Sequence, residues 1–140
     1  MSQARNIEFD LARVLLVDDD PTSRLTLKTV LEAGGYTVDS AASAAEAVGK
    51  LDAGEYELVL TDLNMESPDA GRKVIAHARI KDYKPATALI TTYQNAKPVA
   101  SRSSVLIKPE DVPGLLSKVA DMISERATRR LERELRLAGV

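Results

Sequence analysis

The feature that most limits the fold is a set of four short, continuous apolar runs, at residues 14–17, 58–60, 88–90 and 105–107. Each run is too short for a helix. Because apolar residues occupy successive positions, both faces of each extended segment would be covered, which is typical of strands in a parallel sheet. A weaker run at 36–38 predicts an edge strand.

Helix-start and helix-stop residues lie between these runs. An Asp-Pro pair at 20–21 predicts an N-cap followed by proline at the first helical position, and a capping box at 43–46 opens a second helix. Two further helices are predicted, one over 70–82 and one after Pro109. Alternating strands and helices imply right-handed crossovers, so we predict an α/β fold with a doubly wound, five-stranded parallel sheet.

Composition excludes several classes of protein. The chain has 140 residues, no cysteine and one histidine, His77, which rules out disulfides, thiol catalysis and histidine-rich metal sites. Its net charge of −2 gives no general case for nucleic-acid binding. No apolar run approaches the roughly 18 to 20 residues of a membrane span, and the N-terminus lacks the apolar stretch of a signal peptide. We therefore expect one cytoplasmic domain with no nucleic-acid or membrane partner.

Polar side chains follow the strong strands at the point where each strand ends. Acids occupy 18–20 and Asp62, a hydroxyl is at Thr91 and an ammonium at Lys108. Ligands of open α/β sheets bind at this carboxyl edge, where these side chains would converge. Carboxylates held together repel unless a cation intervenes, and Mg²⁺ or Mn²⁺ suits oxygen ligands. The pattern indicates phosphoryl transfer to an aspartate.

Segments 14–20 and 62–65, together with Thr91 and the pair 108–109, resemble the receiver domain of bacterial two-component response regulators. The resemblance covers roughly 13–124 and implies a flavodoxin-like sheet with strand order 2-1-3-4-5. It divides the chain into an N-terminal leader over 1–12, a receiver over 13–124 and a C-terminal helical extension over 125–140. The length leaves no room for an output domain, so we expect a stand-alone receiver.

The resemblance also implies the roles of individual acids. Asp62 is expected to be the phosphoacceptor. Asp19 and Asp62 would ligate Mg²⁺ through their side chains, and the backbone carbonyl of Asn64 would be a third ligand. Asp18 would act through a bound water.

Two further roles follow from the same resemblance. Lys108 would pair with the phosphoryl group, and its bond to Pro109 resembles the family's cis peptide. Thr91 would be the switch hydroxyl that moves toward a phosphoryl oxygen. Asn64 and Tyr93 match positions that tune the lifetime of the phosphoaspartate.

The sequence departs from the family at several positions. Glu66 stands where proline is usual, and it is expected to alter access to Asp62 or to bring another acid near the metal. Only thirteen residues, 92–104, separate Thr91 from Val105, and Pro98 interrupts them. The fourth helix, which joins the fourth and fifth strands, is therefore predicted to be short or absent. Since Val105 also replaces a frequent switch aromatic, we expect signalling through another surface.

Three functions remain open from the sequence. The first is a receiver, not a turnover enzyme, that is phosphorylated on Asp62 by a histidine kinase or a histidine phosphotransfer protein and then changes a contact with an unknown downstream protein. The second is a degenerate receiver that binds proteins without phosphorylation. The third is a Mg²⁺-dependent phosphatase-like enzyme, although Asn64 stands where a second acid would be needed.

The tail over 125–140 carries an apolar stripe. Ile123, Ala127, Leu131 and Leu135 recur every four residues, so the last helix could extend past the globular part. One interpretation is a solvated helix held by Glu–Arg pairs at helical spacing. The other is a helix that forms a homodimer or docks a partner.

Overall fold

The structure is a computed structural model that describes residues 12–63, 65–90, 106–107 and 112–139. The predicted leader over 1–12 lies outside these ranges except for Ala12. The segment over 92–104, between the runs at 88–90 and 105–107, lies outside them entirely, so the short or absent helix there stays a prediction.

Four five-residue strands form where the apolar runs predict them, β1 over Arg13–Val17, β2 over Thr37–Ala41, β3 over Leu58–Asp62 and β4 over Ala86–Ile90. Every residue of β3 and β4 is buried, and in β1 only the first residue is exposed. Alternate residues of β1 enter different apolar clusters, one on each side of the sheet. Burial on both faces explains why the runs are continuous.

The strand pairs are all parallel, and the four full-length strands have the order β2-β1-β3-β4. A two-residue segment, β5 over Leu106–Ile107, pairs with β4 on its other side. The weak run is at the sheet edge in β2, as predicted. The α/β fold with a parallel sheet is thus confirmed, while the predicted fifth strand reaches only two residues in the part of the chain that the structure describes.

Four helices accompany the strands, α1 over Pro21–Ala33, α2 over Ala44–Ala53, α3 over Ala70–Arg79 and α4 over Val112–Leu137. Both predicted N-caps are confirmed. The side chain of Asp20 accepts from the Ser23 N–H at 2.8 Å, and the Ser43 hydroxyl accepts from the Glu46 N–H at 3.1 Å. No helix among the described residues is both long and apolar enough to cross a bilayer.

The prediction for the third helix is wrong at its end, because α3 stops at Arg79 rather than at residue 82. The N–H of Ile80 already bonds to the carbonyl of His77, and a turn follows in which Lys84 has a φ of +45°. Pro85 comes next and disfavours a helical residue before it. The sequence predicted a helix that continues to residue 82, but this turn ends the helix at Arg79.

Helices cover both faces of the sheet. On one face, α1 and α4 contribute Leu27, Leu31, Leu115 and Val119 to a buried cluster with residues of β1, β3 and β4. On the other face, α2 and α3 contribute Ala47, Leu51, Val74 and Ala78. The sheet is therefore packed between two apolar layers, one on each face.

Polar contacts join the amino ends of the strands. Arg13 donates to the Asp39 carboxylate at 2.8 Å, and the hydroxyl of the buried Tyr56 donates to the same oxygen at 2.8 Å. The Arg13 guanidinium also lies 4.8 Å from the centre of the Tyr56 ring. The Tyr56 bond is the largest influence lowering the pKa of Asp39, and burial together with Asp39 raises the pKa of Tyr56 to about 12.

We predict that Tyr56→Phe lowers the free energy of unfolding by about 1 kcal/mol, because the buried hydrogen bond to Asp39 is lost. The variant should also raise the pKa of Asp39. Since that pKa is depressed in the folded state, the stabilisation is present above the unfolded-state pKa and is lost as pH falls through the folded-state value. Urea unfolding and an NMR titration of Asp39 measure both effects.

Tyr36→Phe is the matched control, since no hydrogen bond to the Tyr36 hydroxyl is found among the described residues. Equal losses of stability in the two variants, or an unchanged pKa of Asp39, would contradict the prediction.

Candidate functional site

Three carboxylates converge at the carboxyl edge of the sheet. One oxygen from each of Asp18, Asp19 and Asp62 lies within 4.8 Å of the others. The sheet register places them there: Val17 pairs with Thr61, so the residue after β1 lies beside the last residue of β3. The predicted convergence of these acids is therefore confirmed as geometry.

Asp18 is held from several sides and is only 3% exposed. Its backbone N–H donates to the carbonyl of Ala41 at 3.0 Å, and its own carbonyl accepts from Arg24 at 2.8 Å. One carboxylate oxygen accepts from the Asp20 N–H at 3.0 Å. Asp18 is thus a buried residue in a fixed position, whereas Asp19 is exposed to solvent.

Asp62 ends the central strand β3 and is 8% exposed. It pairs with Ile90 in the sheet register, and the next N–H, that of Leu63, donates to the Ile90 carbonyl at 3.0 Å. The Thr61 hydroxyl donates to the backbone carbonyl of Asp62 at 3.2 Å. The backbone that carries the Asp62 carboxylate is therefore fixed on both sides of the residue.

The other predicted site residues lie outside the described residues. They are Asn64, Thr91 and Lys108, together with Tyr93 and Pro109, which the resemblance also singles out. Their predicted roles stay predictions. The structure brings together only the acidic part of the predicted site.

A close approach of α3 to the site was missed by the sequence reasoning. A Cβ added at Gly71 would overlap the backbone carbonyl oxygen of Asp62 and would lie 2.9 Å from that of Leu63. Glycine is therefore needed where the first turn of α3 presses against the end of β3. A glycine just inside a predicted helix start was the available signal.

Glu66 does not join the acidic cluster. Its two carboxylate oxygens accept from the N–H of Ala44 at 3.0 and 3.3 Å, in the first turn of α2. A carboxylate is favoured there, because the first N–H groups of a helix lack partners within it. Among the described residues, Glu66 is therefore not part of the cluster of Asp18, Asp19 and Asp62, in contrast to the expectation of another acid near the metal. Glu66 instead connects the loop after β3 to α2.

His77 lies away from these acids, on α3. Its Nε2 is 2.8 Å from an Asp52 oxygen that also accepts from Lys81 at 2.7 Å. The hydrogen bond from Lys81, followed by that from His77, lowers the pKa of Asp52. The interpretation of His77 as a partly exposed helix residue is confirmed.

Comparison with known proteins gives one family. The family model described as "Response regulator receiver domain" matches residues 14–120. This range begins in β1 and ends within α4, so it contains the sheet and the three clustered acids.

Two curated relatives and one solved structure illustrate the similarity. A gliding motility regulatory protein of Myxococcus xanthus is 38% identical over 99 residues, 71% of this chain and 11% of that protein. The aerobic respiration control sensor protein ArcB of Escherichia coli (strain K12) is 32% identical over 112 residues, 76% of this chain and 14% of that protein.

The solved structure is the response regulator protein TrrA from Thermotoga maritima in complex with Mg²⁺-BeF. It is 30% identical with a TM-score of 0.69, and the match covers 80% of this chain and 99% of that chain. By contrast, the chain spans only 11% and 14% of the two curated relatives above.

We predict that Gly71→Ala lowers the free energy of unfolding by about 1–3 kcal/mol, because the added methyl group must push against the backbone at Asp62. The same displacement should weaken Mg²⁺ binding to the acidic cluster. Urea unfolding and calorimetric titration with Mg²⁺ measure the two effects.

The control is Gly49→Ala in α2, where an added Cβ meets no atom within 4 Å. That variant should gain about 0.5–1 kcal/mol, since alanine is the better helix former. A Gly71→Ala variant as stable as the parent protein would contradict the prediction.

Proposed function

The chain belongs to the response regulator receiver domain family of two-component signalling, and from this we propose that Asp62 accepts a phosphoryl group from a histidine kinase or a histidine phosphotransfer protein. The observation that carries the proposal is the cluster of Asp18, Asp19 and Asp62, with oxygens within 4.8 Å of one another. Three carboxylates held this close make an anionic pocket suited to a divalent cation, and a bound cation would in turn attract a phosphoryl group.

Asp62 is the best placed of the three to be the nucleophile. Asp19 is exposed, and Asp18 follows β1 rather than ending a strand. Asp62 instead ends a fully buried strand, and its backbone is held by β4 and by the close contact with Gly71. In-line attack needs a nucleophile held in a fixed position, which this anchoring supplies.

The donor set fits Mg²⁺ or Mn²⁺. Carboxylate oxygens are the ligands that Mg²⁺ prefers, and three of them lie within 4.8 Å of one another here. We propose that Asp19 and Asp62 are direct ligands with the Asn64 carbonyl, and that Asp18 acts through a water. A bound divalent ion supplies positive charge against the repulsion of the acids and the charge of the phosphoryl group.

The proposed reaction is a single displacement at phosphorus. A carboxylate oxygen of Asp62 bonds to phosphorus as the phosphorus–nitrogen bond to the donor histidine breaks, and the electron pair stays on the imidazole nitrogen. Water later attacks the phosphorus, releasing inorganic phosphate and restoring the carboxylate. Lys108 and Thr91 are proposed to contact the phosphoryl oxygens, as a point charge and a hydroxyl donor. In this scheme the chain is a phosphorylated signalling protein and not a turnover enzyme.

We predict that acetyl phosphate with millimolar Mg²⁺ phosphorylates the protein, and that Asp62→Asn abolishes the modification because the nucleophile is gone. Intact-mass spectrometry measures the added phosphoryl group, and a beryllofluoride titration tests the same site without chemistry. Asp69→Asn is the matched control, since Asp69 is exposed, follows Asp62 in the same loop and is not in the cluster.

Each alternative has its own outcome in this experiment. A parent protein that neither is modified nor binds beryllofluoride would contradict the proposal and favour a degenerate receiver. Repeated turnover of small phosphate esters would favour a phosphatase-like enzyme. Equal loss in Asp69→Asn would show that the loop, and not the nucleophile, had been disturbed.

The proposed signal reaches a protein partner, and α4 is the surface we propose for self-association. From residue 124 onward every side chain in the helix is exposed except that of Arg126, and Leu131 and Leu135 are 56% and 45% exposed. Exposed leucines at helical spacing favour a second apolar face as their cover.

We predict that the parent protein is dimeric and that the double change Leu131→Gln and Leu135→Gln makes it monomeric, because the apolar contact is removed. Light scattering measures the mass. Leu25→Gln, on an exposed leucine of α1, is the control and should leave the mass unchanged. A monomeric parent protein would contradict homodimer formation through α4.

A further inference from the structure

A small cavity lies between α4 and the turn that follows α3. Its volume is about 110 Å³, and the lining residues come from the turn at 82–84 and from α4: Asp82, Tyr83, Lys84, Arg126, Arg129, Arg130 and Arg133. The turn immediately precedes β4, whereas Asp62 pairs with the last residue of that strand. The cavity is therefore at the opposite edge of the sheet from the acidic cluster.

Arg126 builds the wall that joins the two elements. Its Nε donates to the backbone carbonyl of Lys84 at 2.9 Å, and its Nη2 donates to that of Tyr83 at 2.6 Å. The Tyr83 hydroxyl donates in turn to the carbonyl of Leu51 at 2.8 Å. These bonds hold the turn, including the left-handed backbone of Lys84, against α4. One side of the cavity is thus held by fixed backbone, and the arginine side chains of α4 line the other side.

The lining is strongly cationic. It contains five cationic side chains and one acid, Asp82. Arg129 and Arg130 have helix partners, Glu125 at 4.0 Å and Glu134 at 3.5 Å, but such exposed pairs are weak.

The other charged groups near these cations lie outside the lining of the cavity. Glu55 and Glu57 act on Arg126 from outside the lining. Arg133 makes no ion pair within the part of the chain that the structure describes. Within the lining itself, cationic side chains therefore outnumber acidic ones, and the other carboxylates lie outside it.

We propose that this cavity binds a small, soluble, phosphate-bearing anion. Guanidinium groups match phosphate oxygens with paired N–H donors, and a tetrahedral phosphate offers oxygens in several directions to cations that converge from two elements. A planar carboxylate satisfies one guanidinium fork and would leave the others unpaired. The cavity volume suits one or two phosphate groups and does not suit an extended chain.

The test is a titration of the full chain with pyrophosphate, without divalent ions, followed by backbone amide NMR. Saturable shifts are expected at Tyr83, Lys84 and the 126–133 segment. The double change Arg129→Gln and Arg133→Gln should weaken binding about tenfold or more, since two charge-assisted donors are removed. Both residues are exposed, so the fold is retained, and Arg126 is kept as the structural anchor.

Arg136→Gln is the matched control, because Arg136 is exposed on the same helix and does not line the cavity. Equal weakening in this control would show a diffuse charge effect and overturn the proposal. So would shifts that do not saturate, or succinate that binds as tightly as pyrophosphate. Binding to phosphatidylglycerol vesicles without binding to pyrophosphate would assign the phosphate to a lipid and overturn a soluble ligand.

Discussion

The parallel pairing of β1 with β3 is the constraint on which the rest of the structure depends. It sets Val17 opposite Thr61, and so forces two acids that are 44 positions apart in the chain, Asp18 and Asp62, to lie side by side. Carboxylates in close proximity repel one another. The burial of apolar residues on both faces of the two strands contributes the stability that holds this register. Core packing and the electrostatics of the site are thus two effects of one register.

The amino ends and the carboxyl ends of the strands carry different sets of charged groups. At the amino edge, Arg13, Asp39 and Tyr56 satisfy one another and stabilise the strand ends. At the carboxyl edge, one carboxylate oxygen from each of Asp18, Asp19 and Asp62 lies within 4.8 Å of the others.

The sequence was sufficient for the features that depend on local pattern. Continuous apolar runs located β1, β3 and β4, and the caps at Asp20 and Ser43 located two helix starts. The clustered acids followed from strand ends and parallel pairing. What sequence reasoning missed depends on contacts to backbone atoms that are distant in the chain.

Three examples share this physical cause. Gly71 presses on the Asp62 carbonyl, Glu66 reaches the N–H of Ala44, and Arg126 grips the carbonyls of the turn after α3. In each case one partner is a backbone group. Because backbone groups are chemically alike at every position, the sequence does not show which of them a side chain will contact. The end of α3 was mispredicted for a related reason, since the turn that stops it is held by backbone hydrogen bonds.

Because α4 is long, a small tilt of the helix displaces its C-terminal end. The helix has 26 residues, or about 39 Å, and the bonds from Arg126 to the turn before β4 attach it near its middle. The part beyond Arg126 is about 17 Å long, so a tilt of about 5° at that point moves the tip by roughly 1.5 Å. A displacement too small to repack the core would therefore still be felt by whatever touches the end of the helix.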